Sequence, residues 1–78
     1  MLYYKIDILK ELTERGYGAG WMRRHKLMGE STIQKLRCGE MVSIDTINTI
    51  CILLKCQPSH IIGVRITEEE KEKFKNDS

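Results

Sequence analysis

Residues 30–38, with the sequence ESTIQKLRC, combine polar and basic side chains with a spacing that keeps them on the outside of a helix. Ile33 and Leu36 lie three residues apart and therefore share one helical face. Because apolar side chains pack inward, the polar side chains around them remain available to a partner. A DNA major groove is wide enough to admit such a helix, and amide and ammonium groups can bond to the base edges displayed there.

The neighbouring sequence supplies the elements that would hold this helix in place. A shorter helix is predicted over residues 19–26, and residues 27–29 form a tight turn before the helix over residues 30–38. Trp21 and Met22 are expected to anchor the shorter helix in the core. The two helices and their turn are the part of the chain that indicates a function.

Further helices are predicted on both sides of this pair. Asp7 caps a first helix that ends near Arg15, Ser43 caps a fourth helix, and Pro58 begins a short fifth helix that ends at Ile62. The fourth helix is the most apolar, and its residues at three- and four-residue steps predict a core-facing stripe. This predicted stripe comprises Ile44, Ile47, Ile50, Cys51 and Leu54, widened by Ile52 and Leu53.

Both ends of this helical unit have the character of short strands, over residues 1–5 and 64–66. Thr67 and Glu70 predict a capping box for a last helix over residues 68–74, and residues 75–78 are expected to fray. The predicted fold class is all-α, with five helices, a helix-turn-helix and short strands at the termini.

Length and charge narrow the function. A chain of 78 residues forms one small domain with little room for a catalytic cavity. Its net charge of +2 divides unevenly, since residues 1–66 carry +4 and residues 67–78 carry −2. We therefore expect a basic domain over residues 1–66, suited to a polyanion, followed by an acidic tail. A merely solvated helix face is the alternative interpretation of the basic residues.

Other chemistries are weakly supported. Cys38, Cys51, Cys56 and His60 lack the close pairing of a zinc site, so neither a metal nor another cofactor is expected. His25 and His60 have no evident orienting acid, so an enzyme is not expected. The amino-terminal residues lack a signal peptide's apolar run, and an odd number of cysteines favours reduced thiols. We expect a cytoplasmic protein without a membrane partner.

The order of these elements resembles the Cro and lambda-repressor type of helix-turn-helix domain, also called Xre-like regulators, and especially its small single-domain members. The resemblance runs from Tyr4 to about Ile66, and three segments carry it: ILKELTERG, STIQKLRCGE and SIDTINTICILLKCQPSHII. It implies a five-helix lambda-repressor-like fold and a sequence-specific regulator of transcription that binds double-stranded DNA. An antitoxin-like protein-interaction module on the same scaffold is the alternative.

The chain departs from the family pattern at several positions around the turn. The family usually has Gln, a small Ala, Gly and Asn at the positions occupied here by Ala19, Arg23, Leu27 and Cys38. These differences predict looser packing between the second and third helices.

Transferred position by position, the resemblance implies a set of side chains that face the bases. These candidates are Glu30, Ser31, Thr32 and Lys35, and Gln34 joins them if the helix is rotated slightly. Lys35 can donate to guanine, and Gln34 can bond adenine in a bidentate way. Glu30 would accept only from cytosine, so we favour the alternative that it caps the start of its own helix, where negative charge is favourable.

A second set of residues consists of candidate phosphate contacts, which supply affinity rather than sequence preference. These candidates are Arg23, Arg24, Lys26, Arg37 and Ser43. Each cation has a solvated surface position as its alternative, and simple N-capping is the more ordinary role for Ser43. Trp21 is expected to be a core or dimer residue rather than a stacking platform for bases.

The resemblance also implies a homodimer that binds a roughly two-fold symmetric site. The candidate dimer interface lies in the apolar terminal segments, at Leu2, Tyr3, Tyr4, Val64 and Ile66. These segments can pair within one chain and then extend across a two-fold axis, because an unpaired strand edge recruits a partner. The alternative is that they only cover the core of a monomer.

Overall fold

The computed structural model describes residues 1–75, which form a mostly helical domain closed at one end by a two-stranded sheet. In chain order the elements are β1 (Leu2–Tyr4), α1 (Ile8–Glu14), α2 (Ala19–Arg24), α3 (Glu30–Cys38), α4 (Ile44–Leu54), α5 (Pro58–Ile61), β2 (Ile62–Val64) and α6 (Glu68–Lys73). Helices α1 to α5 correspond to the five predicted helices, and α6 is the predicted last helix. The all-α fold with short terminal strands is confirmed.

One apolar core unites the helices. Leu12 of α1, Met22 of α2 and Ile33 of α3 are almost fully enclosed, as are Ile50 of α4 and Ile61 of α5. Each of the helices α1 to α5 therefore contributes at least one fully buried side chain. The core is aliphatic at its centre, while Tyr and Trp side chains pack around it partly exposed. Helix α3 is held against the rest of the domain by its two buried residues, Ile33 and Leu36.

Side-chain capping fixes where α1 and α4 begin. The Asp7 carboxylate accepts a hydrogen bond from the backbone N–H of Lys10 at 3.2 Å, and the Ser43 hydroxyl accepts one from Thr46 at 3.2 Å. Both predicted N-caps are confirmed, and each satisfies a backbone donor that the helix leaves unpaired. Gly39 ends α3 with a φ of +79°, a left-handed conformation that suits glycine.

The predicted core stripe of α4 is wrong at two positions, while Cys51 and Leu53 pack against the core partly buried. Ile47, Ile50 and Leu54 are buried, but Ile44 is 85% exposed and Ile52 is 65% exposed. Cys51, expected to be buried, is only partly so, and burial raises the pKa of its thiol. Within residues 1–75, the other elements cover only one face of α4 and leave Ile44 and Ile52 exposed.

The two strands pair with each other, antiparallel, with Tyr3 opposite Gly63 and Tyr4 opposite Ile62. The predicted strand at residues 64–66 is displaced, because α5 ends one residue early and the chain becomes extended at Ile62. An added Cβ at Gly63 would lie 2.9 Å from Lys5 Cε and 3.0 Å from the Tyr3 ring, so a larger residue there would displace both side chains. The sheet covers one end of the core, as Tyr4 and Ile62 pack against it.

Helix α6 follows the sheet and has no buried residue. Its capping box is present as predicted, with the Thr67 hydroxyl accepting from the Glu70 N–H at 3.1 Å. The Met1 ammonium donates to Glu70 Oε2 at 2.7 Å, and this hydrogen bond lowers the pKa of the Glu70 carboxyl. The amino terminus thus ties α6 to the strands. Of the residues expected to fray, 76–78 lie outside the described part.

Candidate nucleic-acid interface

Helix α3 presents most of its predicted base-facing side chains to solvent. Ser31, Gln34 and Lys35 are exposed, and so is Glu30 in the first turn, whereas Thr32 is partly buried. The opposite face of α3 is buried through Ile33 and Leu36. An exposed polar row therefore stands opposite a buried apolar pair, which is the arrangement required for a helix that enters a groove. Thr32 has less of its side chain available than the others.

The carboxyl-terminal half of α3 carries a short side-chain network. Arg37 Nη1 donates to Gln34 Oε1 at 3.1 Å, and Gln34 Nε2 donates to Cys38 Sγ at 3.6 Å. The Gln34 amide is therefore held along the helix axis by its neighbours. One N–H and one lone pair of the amide remain available to a base. Arg37 therefore orients Gln34 as well as offering a charge for phosphate.

At the start of α3, Glu30 and Arg23 form an ion pair across the turn. The N-cap of α3 is Gly29, and Glu30 follows it in the first turn, where a negative charge is favourable. The carboxylate of Glu30 therefore lies at the start of its own helix and pairs with Arg23 as well. Both side chains are exposed, and such pairs contribute little to stability because water and salt screen them. Their functional consequence is larger, since a carboxylate beside a candidate phosphate contact lowers the local positive charge.

We expect Glu30→Gln to raise affinity for duplex DNA several-fold, because it releases Arg23 and removes a charge that repels phosphate. The slope of log K against log salt concentration should become more negative by about one, because one more cation contacts a phosphate. Fluorescence anisotropy with a labelled duplex across a salt series measures both quantities. Glu69→Gln in α6 makes the same charge change away from α3 and should leave both unchanged. Equal effects of the two substitutions would contradict a specific role for the pair.

The turn between α2 and α3 contains a left-handed residue that is not glycine. Lys26 has a φ of +55°, and the next residue, Leu27, donates its N–H to the Met22 carbonyl at 3.0 Å. The left-handed position thus lies one residue before the place where the family pattern suggested glycine. Lysine is strained there by its Cβ. The turn keeps Lys26 exposed beside Arg23, and both line a shallow depression next to Gly29.

Trp21 is enclosed by aromatic neighbours rather than open to bases. Its ring centroid lies 4.1 Å from that of His25, nearly parallel, and 4.7 Å from that of Tyr17. His25 Nδ1 is 3.0 Å from the Trp21 carbonyl oxygen. The indole is partly buried against the core, in agreement with a structural role.

The remaining candidate phosphate contacts occupy three separate places. The Arg24 guanidinium folds back along α2 beside Gly20, and Arg37 lies at the far end of α3. The Ser43 hydroxyl is engaged in capping α4 and lies 3.0 Å from Thr46 Oγ1. The structure therefore gathers Arg23 and Lys26 near the start of α3, while the others lie apart from them.

Sequence reasoning missed Tyr4 as a residue that positions this surface. Its hydroxyl donates to the Glu40 carbonyl at 2.7 Å, just after α3 ends at Gly39. Burial raises the pKa of Tyr4. A partly buried tyrosine usually finds a hydrogen-bond partner. That rule predicts a partner but not its identity, because the two residues are distant in the sequence.

Other kinds of site find no support in residues 1–75. That stretch contains no group of three His, Cys, Asp or Glu side chains arranged to hold a metal ion. Its helices are also too short or too polar to cross a membrane.

Comparison with known proteins agrees with this geometry. A family model described as the Cro/C1-type helix-turn-helix DNA-binding domain matches residues 8–65, from the start of α1 to just past β2. No curated protein and no solved structure matches the chain. The matched region includes α2, the turn and α3 together with the helices that support them. The chain therefore belongs to the Cro/C1-type helix-turn-helix family of DNA-binding domains.

Proposed function

We propose that the protein is a sequence-specific transcriptional regulator that binds double-stranded DNA through α3. The observation that carries this proposal is the exposed polar and basic row of α3 opposite its buried residues Ile33 and Leu36. The basic domain over residues 1–66 is the binding unit, and residues 67–78 are an acidic tail. The protein acts in the cytoplasm with reduced thiols and without a metal or other cofactor.

The candidate residues divide into two roles. Lys35, Ser31 and Gln34 read base edges, with Thr32 and Glu30 at the margin of the contact. The cations in and around α2 bind phosphates and fix the register of α3 in the groove. Arg37 and Ser43 complete the phosphate contacts on either side of the loop after α3.

The protein binds as a homodimer on a two-fold symmetric site. One small domain covers limited DNA, and two half-sites about one helical turn apart raise both affinity and specificity. The strands β1 and β2 pair within the chain, so their outer edges remain one candidate dimer interface. Helix α4 offers a second candidate.

Selection of binding sites from a pool of random duplexes should yield a symmetric sequence with two half-sites. Lys35→Ala should weaken binding to the selected site by about 1–3 kcal/mol while changing affinity for unrelated duplex little. Lys71→Ala in α6 is the charge-matched control and should be neutral. Selection without enrichment, with a folded protein, would instead favour an antitoxin-like module, and a stable complex with a protein partner would then be expected.

A further inference from the structure

Helix α4 carries a line of exposed side chains on the face turned away from the core. Ile44, Asn48 and Ile52 follow one another at four-residue steps, so they lie along one side of the helix. Ile44 is 85% exposed and Ile52 is 65% exposed. Two large aliphatic side chains exposed on successive turns of one helix give this face an apolar character that suits an interaction surface. We call this line the α4 stripe.

An open groove runs beside the α4 stripe and continues toward the start of α5. The groove is lined by the α4 stripe itself, by Ile47 and the partly buried Cys51, and by Pro58 at the start of α5. The groove is shallow and extended rather than enclosed, so its shape suits a helix more than a small molecule. A helix laid along the stripe would bury both exposed isoleucines.

Charges at the two ends of the α4 stripe differ in sign. Asp45 lies in the first turn of α4, whereas Lys55 follows its last turn. Arg15 adds a second cation to the lining of the groove. Two copies of α4 packed antiparallel would bring the acidic end of each toward the basic end of the other. A parallel arrangement would place like charges together, which is unfavourable.

We propose that the α4 stripe packs antiparallel against the α4 stripe of a second copy of this chain, with the two-fold axis at Asn48. This inference rests on the proposed function insofar as it names the face that forms the homodimer. Ile44 of each copy then contacts Ile52 of the other, as a two-fold interface requires. Each Asn48 amide offers a donor and an acceptor, so the two amides pair across the axis. One polar residue within an apolar interface fixes its register.

The terminal sheet is the competing face, and it provides a matched control. Val64 of β2 is 65% exposed, the same value as Ile52. Glutamate at either position places a charge on an exposed apolar patch without disturbing the core. The comparison of the two variants therefore isolates the face on which association depends.

Sedimentation equilibrium of the full chain, without DNA, tests the proposal. We expect a reversible dimer whose dissociation constant rises at least about tenfold in Ile52→Glu, because the interface would bury an unpaired carboxylate. Val64→Glu should stay within about twofold of the unaltered protein. Circular dichroism confirms that both variants fold. A wild-type monomer at about 1 mM, or an Ile52→Glu dimer of unchanged strength, overturns the proposal. So does a dimer weakened only by Val64→Glu, which would place the interface in the terminal sheet.

Charge reversal adds a test of orientation. Asp45→Lys and Lys55→Glu should each weaken the dimer, and the double variant should recover most of the lost association. Failure of the double variant to recover excludes the antiparallel arrangement. Binding to a duplex that contains a single half-site separates this result from the proposed function, because a folded Ile52→Glu monomer should still bind it through α3. If Ile52→Glu loses the dimer but still binds the half-site, the result supports the α4 interface. If no variant binds the half-site, the result contradicts DNA binding through α3 and leaves the dimer to be judged by sedimentation alone.

Discussion

Alanine at Arg23, Arg24 and Lys26 together should lower affinity for every duplex sequence by about 100- to 1,000-fold near 0.1 M salt. Each cation that meets a phosphate releases about one counterion from DNA, so the loss compounds over three contacts. The slope of log K against log salt concentration should fall by about two to three, the lower value applying if Glu30 keeps Arg23 engaged. Sequence preference among the duplexes that still bind should change little, since phosphates carry no base identity.

The control for this variant replaces three lysines elsewhere. Lys71, Lys73 and Lys75 of the α6 segment are all exposed, and their alanine variant has the same net charge. Filter binding or anisotropy over a salt series should show a small effect for the α6 variant. If both triple variants weaken binding equally, binding depends on overall charge rather than on the surface around α3. If neither weakens it, the phosphate contacts lie elsewhere.

The sequence predicts the helical elements well because their signals are local. The bounds of α3, Glu30–Cys38, agree with the structure, and the caps at Asp7, Ser43 and Thr67 are present. A capping side chain bonds to backbone two or three residues away, so its effect is contained in a short window. The polar face of α3 follows equally from the positions of its two buried residues.

What the sequence does not predict depends on contacts between distant elements. The Arg23–Glu30 pair joins side chains from two helices, and either residue has several exposed partners available to it. The apolar periodicity of α4 suggests a broad buried face, but how much of it is covered depends on how many elements pack there. Ile44 and Ile52 are apolar like Ile47, and periodicity alone does not separate a core face from an interaction face.

The left-handed residue in the turn is a further feature that the sequence does not predict. The family usually has glycine at the position of Leu27, but the residue with a positive φ is Lys26. No glycine marks the position, and lysine is not a residue whose sequence context signals this conformation. The hydrogen bond from Leu27 to the Met22 carbonyl determines the position instead, since it closes the end of α2.

Ile33→Ala should have the largest effect on stability among substitutions in α3. Ile33 is 1% exposed and anchors α3 in the core. Removing all side-chain carbons beyond its Cβ leaves a cavity that costs about 2–5 kcal/mol. A domain of this size is stable by only about 3–5 kcal/mol, so a large fraction of the variant should be unfolded at 25 °C. Thermal denaturation followed by circular dichroism should show a midpoint lower by about 10 °C or more.

Two controls separate anchoring from DNA contact. Ile33→Val should cost about 0.5–1.5 kcal/mol, since it removes one methylene group. Ser31→Ala alters the exposed face of the same helix, so it should leave the midpoint nearly unchanged while weakening DNA binding. Saturating duplex should restore part of the Ile33→Ala midpoint, because DNA binds the folded state. An Ile33→Ala midpoint within about 2 °C of the unaltered protein would mean that α3 is held by contacts other than its buried face.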